Sequence, residues 1–382
     1  MNRNALIIST GFALFSMFFG AGNMVFPIQL GQETAGNHLV AASGIMLTGV
    51  LVPFMGVFGM LLYGGSLQNF FSYFGKKGIF LFSLLALALM GPFGVVARCL
   101  IVSHGALKLL FPFITLPMSS LLLCVIVYIL AINQGKIISL LGSIVTPFLI
   151  VSISFIAIMG LWNIEAPPAT QLASWDALKT GFFQGYKTMD LLAGFFFSQF
   201  TISHLRKKLI DKGQEDQLTS IFSRSLLIGI GLMFAFYFTM VVLGAHYAPL
   251  LVGQQPQSML GIIAIASIGS LATPFVCLAL ILACITSAIV LSTLFAEFLR
   301  KDICQNKLGH RTSILITVAI SFGISNLDFN GISKFLGPVV EMIYPVLIIL
   351  TLFNLVVKGI EFIRARGVEE SEMEVEMDIS AK

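Results

Sequence analysis

Three short stretches carry residue types that sit badly in hydrocarbon and could do chemistry there. The first is GAGN, Gly20 to Asn23, inside a run from Ala5 to Leu30 that holds no charged residue. The second is GYKTMD, where Lys187, Thr188 and Asp190 stand between Gly185 and Gly194 in an apolar segment. The third is ACITS, which sets the hydroxyls of Thr286 and Ser287 side by side after Ala283. Each is costly at membrane depth. A glycine inside a helix costs about 1 kcal/mol relative to alanine. A charge at the bilayer centre costs about 2.5–3.5 kcal/mol on the insertion scale. Glycine-interrupted segments at matching places in two halves of a chain point to helices that unwind at the midplane. There, freed N–H groups and half-helix N-termini face an anion, and freed carbonyls face a cation. Adjacent neutral hydroxyls beside a carbonyl suit a small alkali cation. Each stretch also has a plainer reading. GAGN could be a close helix–helix contact with Asn23 as interhelical glue. Thr286 and Ser287 could bond the preceding turn of their own helix. Lys187 and Asp190, three residues apart, could be a structural ion pair.

The elements that must position these residues follow from composition. Of 382 residues, 57% are hydrophobic and 10% charged, against about 25% charged in soluble proteins. This is the composition of an integral membrane protein. Apolar runs long enough to cross a bilayer fall at about 6–29, 40–62, 78–105, 117–133, 136–162, 181–204, 220–246, 268–299, 312–327 and 335–358. They lack the ten-residue alternation of a barrel, so they are read as helices. Basic residues set the orientation. One side holds Arg3, Lys76, Lys77, Lys136, Arg206, Lys207, Lys208, Lys212, Arg300, Lys301, Lys307, Arg311, Lys358, Arg364 and Arg366. The other holds only Lys108, Lys179 and Lys334. The positive-inside rule places both termini in the cytoplasm. The expected organisation is a first five-helix unit (1–162), an extracellular linker (163–180), a second five-helix unit (181–358) and a disordered acidic cytoplasmic tail (359–382). Helices 1 and 6 are expected to be discontinuous in a 5+5 inverted repeat. The cysteines at 99, 124, 277, 284 and 304 show no ligand spacing, so neither a disulfide nor a metal–thiolate site is expected.

At FFGAGNMVFP, GYKTMD, ACITSAIVLSTLFAEF and SNLDFNGISKFLGPVVEMIYP, in this order, the sequence resembles bacterial branched-chain amino acid:cation symporters, over about residues 7 to 355. The resemblance implies the ten-helix inverted-repeat fold of the sodium-coupled leucine transporter, in a bacterial plasma (inner) membrane. It implies uptake of leucine, isoleucine or valine with Na+, with a proton as the alternative coupling ion or another amino acid as cargo. By the same match the peptide groups of Gly20, Ala21 and Gly22 would bind the substrate carboxylate. Asn23 would touch both substrate and sodium. Thr188, Met189 and Asp190 in the second unwound stretch would face the substrate, Asp190 toward its amine. A second sodium would sit among the carbonyls of Ser16, Phe19 and Ala283 and the hydroxyls of Thr286 and Ser287. Lys187 departs from the family pattern, where an apolar residue is expected. It could pair with Asp190 or stand in for a cation.

Further polar residues rank lower. Gly91, Pro92 and Gly94 precede Arg98 and His104 in the third run and suggest a kink beside the site. Arg98 is expected to serve as a gate or an interior ion-pair partner rather than as a substrate ligand. Glu341 is a proton-coupling candidate. A channel would need charged rings or a filter loop, and a membrane enzyme a catalytic set such as HExxH or GxSxG. The sequence contains none of these. No enzyme, cofactor or nucleic-acid partner is expected; the expected partners are the amino acid, Na+ and lipid, with the oligomeric state left open.

Overall fold

The structure is a computed structural model. It describes residues 3–132, 134–162, 165–211, 213–269 and 273–380, with side chains undescribed at 134–146, 149 and 365–380. The described residues contain no strand. The helices are α1 (Arg3–Phe18), α2 (Ala21–Thr34), α3 (His38–Met46), α4 (Val52–Leu62), α5 (Leu67–Phe70), α6 (Gly75–Met90), α7 (Val95–Leu110), α8 (Leu116–Ile132) and α9 (Gln134–Trp162). After them come α10 (Ser174–Lys187), α11 (Asp190–Ile210), α12 (Leu218–His246), α13 (Ala248–Leu251), α14 (Met259–Ile268), α15 (Thr273–Phe298), α16 (His310–Ser325) and α17 (Asp328–Ser380).

Helix is what lipid demands, because every backbone N–H and C=O must be satisfied within its own segment. Outward faces carry large apolar side chains such as Leu81, Trp162, Met342 and Ile349, which suits a hydrocarbon surround. Inward faces make one continuous apolar core. Among the described residues, five stretches are long and apolar enough to cross a membrane by length and composition: Ala21–Leu62, Ser72–Leu110, Glu215–His246, Thr273–Ile303 and Asp328–Arg364.

Three apolar runs are broken. The first stops at Phe18 and resumes at Ala21; the sixth stops at Lys187 and resumes at Asp190. The third stops at Met90 and resumes at Val95, across GPFG. Both halves of the first run pack on α12. In the sixth, α10 packs on α3 and α11 on α4. Glycines let the backbones touch: a Cβ on Gly31 would lie 2.0 Å from the Val241 carbonyl oxygen, and one on Gly244 2.1 Å from that of Ile28. At the equivalent α10–α3 contact, a Cβ on Gly181 would lie 2.0 Å from the Ala41 oxygen and one on Gly44 2.4 Å from that of Leu178. Between α3 and α4 the chain widens into a π turn, Leu47–Leu51, the kind of irregularity that collects at functional sites. Its Gly49 faces Gly185 and the ring of Tyr237.

Several expectations need correction. The linker is shorter than expected, because α10 already begins at Ser174. The short apolar helix α14 stands between the seventh and eighth runs, where a loop was expected; ten residues of MLGIIAIASI are too few to span alone. The acidic tail is helical through Ser380 rather than disordered. Its glutamates, methionines and alanine are good helix formers, and no proline interrupts them. Lys212 of the charge pattern lies outside the described residues.

Candidate functional site

The first break is built by its glycines. The Phe19 N–H closes a tight turn on the Ser16 carbonyl at 3.2 Å. Gly20 then runs extended, at φ −129° and ψ −176°, and α2 starts with no side-chain cap. The opening N–H groups of α2 therefore have no intrahelical acceptor, and the helix dipole adds partial positive charge at the same point. Pro27 lies inside α2. It has no N–H, so the Asn23 carbonyl lacks its normal helical donor. Anion-seeking donors and cation-seeking oxygens thus meet within four residues.

The second break answers it from the other side. Met189 is in the left-handed region at φ 64°, a strained conformation for a long side chain. Thr188 Oγ donates to the Gly185 carbonyl at 2.8 Å, tying off the end of α10. Asp190 opens α11, where the dipole favours a carboxylate. Across the gap, a Cβ on Gly22 would be 3.5 Å from Thr188 Cα.

A buried polar cluster joins the breaks. Asn23 Nδ2 donates to Asp190 Oδ2 at 2.8 Å and to Tyr237 Oη at 3.0 Å. Tyr237 Oη in turn donates to the same carboxylate oxygen at 2.7 Å. Asn23 and Asp190 are only 2% and 3% exposed, so these bonds form in a low-dielectric interior, where such networks are stiff. Asp190 has no basic partner at ion-pair distance among the described residues.

The third break presents Arg98. Its Nη1 donates to the Lys187 carbonyl at 2.7 Å, at the C-terminal end of α10. The guanidinium carbon lies 5.1 Å from the ring centre of Phe26 and 5.8 Å from that of Phe329, favourable cation–π spacing. The rings of Tyr344 and Tyr186 meet at a tilt, ring centres 4.8 Å apart. On the α1 side of the first break, Phe19 meets Phe236 edge-on at 4.7 Å.

The α15 hydroxyls meet the broken helix as well. Ser287 Oγ donates to the Phe19 carbonyl at 3.1 Å, and Thr286 Oγ to the Ala283 carbonyl at 2.8 Å. Ser287 thus ties α15 to the break between α1 and α2, where the Phe19 N–H also meets the Ser16 carbonyl.

The structure thus sets Gly22 against Thr188, Asn23 against Asp190 and Phe19 against Ser287, and within their own segments Ser16 against Phe19 and Ala283 against Thr286. Other expectations fail. Lys187 does not pair with Asp190, whose carboxylate is taken by Asn23 and Tyr237; only the Lys187 backbone is engaged, by Arg98. Arg98 is no ion-pair partner, since no described carboxylate reaches it. Glu341 is exposed and outside the cluster, because Val340, Tyr344 and Leu347 carry the buried stripe of α17. Tyr237, Phe26, Phe329 and Tyr344 escaped sequence reasoning. A tyrosine within an apolar span was the available signal, since a buried phenol usually finds a partner.

Broken helices crossing at a buried polar centre define a transporter-type membrane fold, and the solved structures agree. The chain superposes on Mhp1, a nucleobase-cation-symport-1 family transporter, at TM-score 0.56 and 14% identity, covering 88% of this chain and 77% of that one. The inward-facing form of Mhp1 gives TM-score 0.58 at 13% identity, covering 90% and 76%. A manganese transporter of Eremococcus coleocola gives 0.54 at 15%, covering 92% and 75%. The chain belongs to the branched-chain amino acid transport protein family, whose profile matches residues 3–370. Relatives include the branched-chain amino acid permease BraB of Bacillus subtilis, 29% identical over 93% of this chain and 80% of that protein. A candidate branched-chain amino acid carrier of Staphylococcus aureus is 27% identical over 94% and 83%.

Proposed function

We propose that this protein is a secondary active transporter that imports leucine, isoleucine or valine together with Na+ by alternating access. The observation that carries the reading is the Asn23–Asp190–Tyr237 cluster, which joins two helix breaks in a buried centre. An α-amino acid fits it by charge. Its carboxylate would sit on the free N–H groups around Gly20, Ala21 and Gly22. Its ammonium would face Asp190 and the carbonyl end of α10, with Thr188 and Met189 closing over it. Phe19, Phe236 and Tyr344 are apolar surfaces suited to a branched side chain. Na+ would take the carbonyls of Ser16, Phe19 and Ala283 and the hydroxyls of Thr286 and Ser287, with Asn23 holding a further ion at the carboxylate. Hard oxygen donors without net charge bind an alkali cation and let it go again.

Ten membrane crossings in a 5+5 inverted repeat, in a bacterial plasma membrane with both termini cytoplasmic, complete the proposal. The paired contacts support the repeat: the first run packs on the seventh as the sixth packs on the second, with matching close-approach glycines. Coupling follows because the ion fastens α1 to α15 through Phe19, and the substrate binds the peptide groups that follow it. A second reading, proton coupling, is favoured by the Asp190 carboxyl, which is buried without a basic partner. Uptake of labelled leucine into proteoliposomes decides between them. An inward Na+ gradient at constant pH should drive accumulation, and choline in its place should abolish it. Accumulation driven by a pH gradient alone would establish the proton reading, and no uptake under either gradient would overturn transport.

A further inference from the structure

We infer that Arg98 is a substrate-binding residue, the positive anchor for the carboxylate of the transported amino acid, and so makes the site selective for zwitterions over amines. The inference rests on the transport reading above. Arg98 is 1% exposed. A guanidinium so buried calls for a counter-anion, and truncating one partner of a buried charge pair is strongly destabilising because the other is left uncompensated. Among the described residues no carboxylate is at ion-pair distance from Arg98. What it has is one carbonyl, at 2.7 Å, two aromatic faces, and an Nε without a hydrogen-bond partner. A helix C-terminus supplies only about half a negative charge. The rest of the compensation must come from something that visits.

The geometry says where. Lys187, whose carbonyl holds Arg98, directly precedes Thr188, and Thr188 Cα faces Gly22. The ring of Phe26 bridges the two places: its edge lies 3.4 Å from a Cβ built on Gly22, and its face carries the guanidinium. The free N–H groups opening α2 and the guanidinium therefore converge on one region. At the other end of the same short break, Asp190 is a buried carboxylate with no cation. Two opposite, unpaired, buried charges, one held at the Lys187 carbonyl and the other three residues further along at Asp190, form a template for a zwitterion. A molecule carrying one charge alone can meet only one of the two.

Equilibrium binding to the purified full-length protein tests this with leucine and two probes, 3-methylbutylamine (leucine without its carboxylate) and 4-methylpentanoate (leucine without its amine). The wild type should bind leucine at least about tenfold more tightly than either probe, the scale of one charge-assisted hydrogen bond. In Arg98→Gln, leucine affinity should fall at least about tenfold while that for the amine changes less than about threefold, closing the gap between them. Arg98→Lys keeps the charge but loses the planar fork, and should fall between. Parallel weakening of leucine and amine in both variants would make Arg98 a structural or gating residue and overturn the assignment. So would a wild type that binds the amine as tightly as leucine. A wild type that binds leucine no better than an unrelated amino acid would instead overturn the transport reading itself.

Discussion

Tyr237 is the residue on which the centre turns. Its hydroxyl donates to Asp190 and accepts from Asn23, so it fixes both groups that face the two breaks. Tyr237→Phe removes the charge-assisted bond to Asp190 and the bond accepted from Asn23, and leaves the ring in place. Leucine affinity should fall about 10- to 100-fold while the variant elutes as a monodisperse peak in size exclusion; wild-type binding would show the cluster to be scaffolding. Asn23→Leu removes both donated bonds and leaves a buried carboxylate short of a partner, so its binding should be lost altogether. Much of this centre was legible from residue type. Asn23 and Asp190 announced themselves because an amide and a carboxylate in an apolar run demand partners. Their joint partner did not, because the tyrosine that links them comes from a span with no other unusual feature. Nor could sequence spacing show that Lys187 would leave Asp190 alone. A three-residue offset implies contact only in a continuous helix, and the chain is broken between them.

At the scale of elements, glycine plays two distinct roles, and sequence conveyed only one. Gly20 and Gly22 mark a break and could be read as such. Gly31, Gly44, Gly181 and Gly244 sit inside unbroken helix, and their role is contact between backbones, visible only once α2 lies on α12 and α10 on α3. Gly181→Ala would put a methyl 2.0 Å from the Ala41 oxygen. Backbone cannot yield as a flexible side chain can, so the cost should reach or exceed the 1–3 kcal/mol typical of overpacking, roughly. Gly323→Ala, also in helix but with nothing within 4 Å, should be neutral or stabilising by up to about 1 kcal/mol. Thermal unfolding in detergent reads both. Equal melting temperatures for the two variants would contradict the close-contact role. The same division explains what else was missed. The third break was foreshadowed by GPFG, whereas Gly49 alone does not announce the π turn at Leu47–Leu51, nor do Pro256 and Gly269 announce the short helix α14 between them.

For the whole molecule, the decisive property of the proposed mechanism is that the cation ligands and the substrate-facing peptide groups would belong to one mechanical joint. The Phe19 carbonyl touches Ser287 on α15, and the extended Gly20 that follows it opens α2. On that proposal an ion at the first would set the backbone that the substrate meets at the second, with nothing but one residue between. Linked equilibria are reciprocal: whatever factor Na+ gains for leucine, leucine must gain for Na+. The expected factor is about 5- to 150-fold, the usual range of coupling free energies. It can be measured twice on the same preparation, as leucine affinity with and without Na+ and as Na+ affinity with and without leucine. Ser287→Ala removes the hydroxyl that reaches the Phe19 carbonyl and leaves every group proposed to meet the amino acid in place. It should bring both factors toward one while leaving sodium-free leucine binding within about threefold of wild type. A wild-type factor of one at neutral pH would end sodium coupling and leave Asp190 as the group through which a proton could act. A variant that loses leucine binding but keeps the factor would mean that α15 braces the substrate site and holds no ion.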